Sequence, residues 1–228
     1  MTYHFEPIGL IESCFKEKFG TPRQPGLAPA ARAILRLNPS REMQEAVRDL
    51  EGFTHIWVIF VFHQAQEKWN PLVRPPRLGG ARKIGVLASR APLRPNPIGI
   101  SAVRLEKIEG TDLHVSGGDF LDGSPILDVK PYLAYADSHP DASPGWTVRE
   151  SFDEVEVSFS PAASQSCSSA EREGYANLRP LIEQLIRLDP RPAFERGLAG
   201  EFASRVEEFD VHWTVDGEKA VVTEIRKI

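Results

Sequence analysis

The residues best suited to chemistry in this sequence sit in loops braced by proline and glycine. One is Pro22-Arg23-Gln24-Pro25-Gly26, and a second is Val73-Arg74-Pro75-Pro76-Arg77-Leu78-Gly79-Gly80. A third runs from Arg90 through Arg94-Pro95-Asn96-Pro97 to Gly99. The fourth is Leu121-Asp122-Gly123-Ser124-Pro125, shortly before Asp128-Val129-Lys130-Pro131-Tyr132. These side chains suit binding more than bond cleavage. Guanidinium groups grip carboxylate or phosphate in a bidentate way. Loops stiffened by proline present such groups at small entropic cost. Proline-rich turns are also common in barrels with no chemistry in them, so each loop taken singly reads first as structure, and only the four together bring the site reading level with it.

Other single residues carry the same double reading. His63-Gln64 closes the most apolar run of the chain, where polar groups either face a pocket mouth or cap a sheet. Asp128 and Lys130 have the spacing of same-face strand neighbours and suit a plain ion pair. Asp122 precedes glycine, a favoured turn pairing. Tyr132 can stack on a nucleobase or fill a rim. Trp57 is assigned to the core.

Several stock chemistries have no support. There is no G-x-G-x-x-G after a first strand, no Walker lysine motif and no G-x-S-x-G elbow. The six histidines are scattered, with no H-E-x-x-H and no His/Cys cluster, so no metal is expected. Two cysteines, Cys14 and Cys167, exclude a disulfide-dense scaffold. No run approaches a membrane span. The first residues lack a basic region followed by an apolar one, so a secretory leader is not expected and the cytoplasm is the default.

Charge is unevenly spread. The net formal charge is −5, yet residues 1–140 hold 17 basic and 15 acidic side chains, while 141–228 hold 10 and 17. Between Asn70 and Pro97 all six charges are positive: Arg74, Arg77, Arg82, Lys83, Arg90 and Arg94. Such a cluster attracts a polyanion if it shares one face, or is an ordinary solvated surface if it does not.

The elements that must position these groups read mostly as strands. Short strands are expected over 5–12, 33–37, 53–64, 83–90, 99–108, 112–120 and 126–133. A short helix from Ser40 to about Leu50 would place Met43, Val47 and Leu50 on one face. The apolar run from Phe53 to Gln64, rich in β-branched and aromatic residues, predicts a strand buried on both faces. Gly117-Gly118 marks a bulge or tight bend. Near residue 137 the chain changes character. Residues 160–170 are Ser- and Ala-rich and read as mobile. Leu178, Leu181, Ile182, Leu185 and Ile186 mark one helix face, and 209–215 pairs with 220–228 around Asp216-Gly217. The fold class is therefore mainly β. An antiparallel β-barrel occupies 1–137 and a small α+β C-terminal domain occupies 171–228. A strand near 152–159 can still join the barrel.

Taken together, these blocks resemble the TsaA-like, or TrmO, family of tRNA methyltransferases. The likeness rests on the Pro22–Gly26, Val73–Gly80, Arg94–Gly99 and Asp122–Tyr132 blocks and on Phe60-Val61-Phe62-His63-Gln64. It resumes at Asp189-Pro190-Arg191-Pro192-Ala193-Phe194 and Phe209-Asp210-Val211-His212-Trp213. The resemblance implies a β-barrel methyltransferase domain and S-adenosyl-L-methionine as cofactor. It also implies a homodimer acting on the tRNA anticodon stem-loop, in which N6-threonylcarbamoyladenosine of threonine tRNA is methylated at N6. It assigns the cofactor to Pro22, Arg23, Gln24, His63, Gln64, Arg90, Ile100, Leu121, Asp122, Gly123, Ser124 and Pro125. It assigns the RNA or the threonyl carboxylate to Arg74, Arg77, Arg94, Asn96, Lys130 and Tyr132. No general base is assigned. Ser89 and Ser124 stand where the family more often has Thr, and both keep the hydroxyl. A non-catalytic RNA-binding barrel is the alternative.

Overall fold

The computed structural model describes residues 2–65, 68–75, 78, 82–147, 155–191 and 198–228. They form two compact units. One comprises Met1–Glu12, Ala33–Ser116 and Gly123–Val148; the other comprises Ser13–Arg32, Gly117–Asp122 and Arg149–Ile228.

The first unit is built on a closed six-stranded antiparallel barrel. Its strands are β1 (Gly9–Ser13), β2 (Arg32–Leu37), β3 (His55–Val61), β6 (Ile98–Glu109), β7 (Asp112–Ser116) and β8 (Pro125–Pro131), hydrogen-bonded in the order β1-β2-β7-β6-β3-β8. Closure removes the free edges that an open sheet would expose. Ile11, Leu35, Ile56, Val58, Phe60, Val103, Leu113 and Ile126 are buried. The apolar run does not make β3 a strand buried on both faces. Ile56, Val58 and Phe60 are buried, whereas Trp57, Ile59 and Val61 are only half-buried, because a barrel strand has one inner and one outer face. Trp57 is thus not a core residue; its indole N–H donates to Asp137 Oδ2 at 3.0 Å. Phe60 faces Gly99 across the β3–β6 ladder. A Cβ on Gly99 would lie 2.3 Å from the Phe60 ring, so this strand position must be glycine for the ring to fit.

Two other expectations differ here. Helix α1 (Arg41–Ala46) starts as expected, with Ser40 Oγ accepting the Met43 N–H at 3.0 Å, but it ends before Leu50. Asp49 takes a left-handed conformation and a single 3-10 turn, Leu50–Gly52, follows. The strand expected over 83–90 is only the short β5 (Ile84–Gly85), paired with β4 (Leu72–Val73); Val86–Ala88 is a 3-10 turn. The Ser89 hydroxyl donates to the Val86 carbonyl at 2.8 Å and so bends the chain away from extension. A short helix, α2 (Ala134–Asp137), closes the unit's last strand.

The second unit carries β9 (Glu156–Phe159), α3 (Pro161–Arg172), α4 (Leu178–Arg187), β10 (Gly200–Val206), β11 (Phe209–Asp216) and β12 (Lys219–Lys227). Its sheet has the order β10-β11-β12-β9, with β9 parallel to β12 and the other pairs antiparallel. β9 therefore lies in this sheet and not in the barrel; residues 152–154 of the expected strand lie outside the described residues. The Ser/Ala-rich stretch is not a mobile loop but helix α3. Ser160 Oγ accepts the Ala163 N–H, Pro161 occupies the first turn, and Ala163, Cys167 and Ala170 form a buried small-residue face. In α4 the five apolar residues expected on one face are all buried. Beyond α4, buried Arg191 grips Asp189 through two hydrogen bonds, 2.7 and 3.0 Å, and donates to the Leu198 carbonyl. That pairing ties the end of α4 to Leu198, just ahead of β10. Pro192, Ala193 and Phe194 of the same motif lie outside the described residues. Among the described residues no helix is long and apolar enough to cross a membrane, and no His/Cys/Asp/Glu cluster could hold a metal ion.

Candidate functional site

In the first unit, β3 ends by curling rather than fraying. The Phe62 N–H donates to the Pro97 carbonyl at 2.8 Å, His63 N–H to Val61 and Ala65 N–H to Phe62. This turn presents His63 and an exposed Gln64. The His63 Nδ1 lies 3.2 Å from the Ser124 hydroxyl, and Ser124 is 2% exposed. The Ser124 carbonyl accepts the Ile11 N–H at 2.9 Å and Gly123 N–H returns to Ile11 at 2.8 Å, so the hydroxyl that meets the imidazole is fixed to β1. Gly123 adopts φ +73°, a conformation suited to glycine. Pro125 begins β8 and is half-buried.

The Arg90 to Gly99 loop is ordered by its own bonds. Arg94 Nη1 donates to the Ser89 carbonyl at 3.1 Å, Arg94 N–H to Pro92, and Ile98 N–H to Asn96 at 2.7 Å. The Trp146 indole N–H donates to the Ala88 carbonyl just before it. Arg94 is half-buried in this network, whereas Arg90 and Asn96 are exposed. Arg74 is exposed at the exit of β4, and Arg77 lies outside the described residues. Ile100, 51% exposed, projects from β6 beside Ile98 at 40%.

The remaining RNA candidates sit elsewhere on the barrel. Lys130 Nζ lies 2.9 Å from Asp128 Oδ2, the plain ion pair their spacing suggested. Tyr132 packs against Trp57 and His55, with its N–H donating to the His55 carbonyl. His55 opens β3 and His63 follows its end, so the strand length, roughly 20 Å, separates Tyr132 from the His63–Ser124 pair.

In the second unit, the Pro22–Gly26 loop is closed at its base. Gly26 N–H donates to the Gly117 carbonyl at 2.8 Å, Gly117 N–H donates to Ala31, and the Thr21 hydroxyl donates to Glu17. Pro22 is buried, Arg23 is exposed and Gln24 is half-buried. Leu121 and Asp122 also belong here and are half-buried. The Asp122 carboxylate accepts the Ser13 N–H at 2.8 Å and lies 3.0 Å from Lys16 Nζ, while the Asp122 N–H donates to Phe15. Asp122 thus braces its own turn first. Neither Ser13 nor Lys16 stood out in the sequence, since their role depends on a pairing 109 residues apart.

Two family models together cover most of the chain. The N-terminal domain of tRNA-methyltransferase O matches residues 10–138 and the TrmO C-terminal domain matches 153–228. The chain belongs to the TrmO family. A TrmO relative, the tRNA (adenine(37)-N6)-methyltransferase of Escherichia coli K12, is 41% identical over 221 residues, 94% of each chain. A putative S-adenosylmethionine-dependent methyltransferase, RcsF, of Pseudomonas aeruginosa PAO1 is 46% identical over 215 residues, 93% of each chain. A crystal structure of TrmO from Pseudomonas aeruginosa superposes with a TM-score of 0.83 at 38% identity, covering 99% of this chain and 100% of that one.

Proposed function

We propose that this TrmO protein transfers a methyl group from S-adenosyl-L-methionine to N6 of adenine 37 in tRNA. Its substrate is the N6-threonylcarbamoyl form of the base, in threonine tRNA. The observation that carries this is the match of both TrmO domain models along one chain. The catalytic barrel is assigned to 1–137; the accessory C-terminal domain, expected over 171–228, is extended back to take in β9 and α3. The enzyme works in the cytoplasm as a homodimer, and Ile100, exposed on the outer face of β6, keeps its assignment to the cofactor.

The side chains present fit the cofactor. In the first unit the exposed Arg90 guanidinium and the Gln64 amide suit its carboxylate and amino group; in the second unit the exposed Arg23 guanidinium and the Gln24 amide offer the same two chemistries. When bound, the cofactor supplies an electrophilic methyl group on a sulfonium. The chain's work is orientation. Pro22, Arg23, Gln24 and the Leu121–Pro125 turn hold their share of the ligand on braced backbone. Ser124 fixes the His63 ring through the 3.2 Å contact. Arg74, Arg77, Arg94 and Asn96 hold anticodon-loop phosphates or the threonyl carboxylate, and Lys130 of β8 and Tyr132 just after it engage RNA.

The test is transfer of labelled methyl to tRNA with and without the threonylcarbamoyl group. Label should appear only in the modified tRNA. RNA binding with no transfer to either would make the protein a non-catalytic RNA-binding barrel.

A further inference from the structure

The loop that carries Arg23 and Gln24 is anchored by residues more than 150 positions further along the chain. Much of the apolar side-chain surface of residues 13–32 is buried. Cys14, Phe15, Ala28, Ala30 and Ala31 belong to one hydrophobic cluster with Leu178, Leu181 and Ile182 of α4 and with Val206, Val211 and Trp213 of the sheet. The stretch before the loop is tied to the sheet. Phe19 stacks on Trp213 with ring centroids 6.3 Å apart and planes 10° from parallel. Glu17 Oε1 accepts the Arg205 N–H of β10 at 2.9 Å, while the Glu17 carbonyl accepts the Thr21 hydroxyl at 2.8 Å. The stretch after the loop is tied to α4. The Ala30 N–H, on a residue 9% exposed, donates to Gln184 Oε1 at 2.9 Å.

The bond to Gln184 is the informative one. A buried backbone N–H needs an acceptor, and here a single side chain of α4 supplies it. Gln184 is half-buried in α4 and lies in sequence between the buried Ile182 and Leu185. Its amide sets the height of Ala30 over the helix, and through it the back leg of the Pro22–Gly26 loop.

We infer that Gln184, with Phe19 on Trp213, acts as a positioning residue for Arg23 and Gln24. The C-terminal half thereby sets cofactor affinity without touching the cofactor. The inference rests on the assignment of Arg23 and Gln24 to S-adenosyl-L-methionine. Truncating the Gln184 amide frees the loop and weakens that ligand, because an unmet backbone donor lets the loop shift to find water.

The test measures S-adenosyl-L-methionine binding by calorimetry, and steady-state kcat and KM on modified tRNA. The proteins are the full-length wild type and the Arg23→Ala, Gln184→Leu, Gln184→Glu and Phe19→Leu variants. Gln184→Leu should weaken cofactor binding about tenfold, raise the cofactor KM in step and leave kcat at saturation and tRNA affinity near wild type. Gln184→Glu, which keeps an acceptor oxygen, should restore binding to within about twofold. If Gln184→Leu does not fold, Phe19→Leu decides, with the same expected rise in KM. A wild type that binds no cofactor would overturn the proposed function itself. Loss of binding in Arg23→Ala, with wild-type affinity in the folded Gln184→Leu or Phe19→Leu protein, would overturn this inference alone. Failure of Gln184→Glu to restore binding would also overturn it.

Discussion

Glu207 is the residue where burial and ionisation conflict most clearly. It occupies the β10–β11 turn at φ +54°, its N–H donates to the Cys14 carbonyl, and its Oε2 is buried with no hydrogen-bond partner among the described residues. Burial first, then the charge of Glu208, push its carboxyl above the ordinary range, against the pull of Lys16. The folded state therefore holds the proton more tightly than the unfolded chain. Its full stability is present below the unfolded value near 4.5 and is lost as pH rises through the higher folded value. Glu207→Gln should melt close to wild type at pH 4 and above it at pH 7. An equal gap at both pH values in thermal melts would contradict this. The neighbouring thiol behaves alike: burial and the Glu207 charge push Cys14 up to about 12, and burial raises Cys167 as well. Neither should react with a disulfide reagent in the native protein at pH 8, and both should react in denaturant. Fast reaction of one native thiol would show that its burial is transient.

At the scale of elements, the β3–β6 pair gives the sharpest expectation. Gly99→Ala drives a methyl group into the Phe60 ring and should destabilise the protein by about 1–3 kcal/mol in denaturant titration. Adding Phe60→Leu should recover part of that loss, because the smaller side chain vacates the contact. Additive losses would show that the two positions do not compete for space. The same pair shows what the sequence makes legible. The apolar run predicts a strand, and closure of a barrel follows from short strands with regular turns. Which face of β3 is buried depends on partners that no local pattern names, so Trp57 reads as core yet lies outside. α3 is a similar case: its cap and first-turn proline are visible at Ser160-Pro161, but low hydropathy hides a helix whose buried face is made of Ala163, Cys167 and Ala170. The site divides in the same way. Arg23, His63 and Gln64 stand out by motif, whereas Ser124's role toward His63 and Gln184's toward Ala30 need contacts 61 and 154 residues apart.

At the scale of the molecule, charge and chain order matter most. The positive run between Asn70 and Pro97 stands against a C-terminal half with 17 acidic and 10 basic groups, so attraction for RNA should be local and salt-sensitive. Arg74→Ala should weaken tRNA binding across tRNA sequences and lower the slope of log affinity on log salt by about one. An unchanged slope would remove Arg74 from the phosphate contacts. Chain order bears on how the protein is made. The ribosome releases Phe15, Ala28 and Ala30 long before α4 and β11 exist to cover them. A nascent chain can close its six-stranded barrel while this stretch stays bare, waiting for the last third of translation. A chain stalled there would display an adhesive ribbon rather than a finished loop, a natural target for holding chaperones until termination.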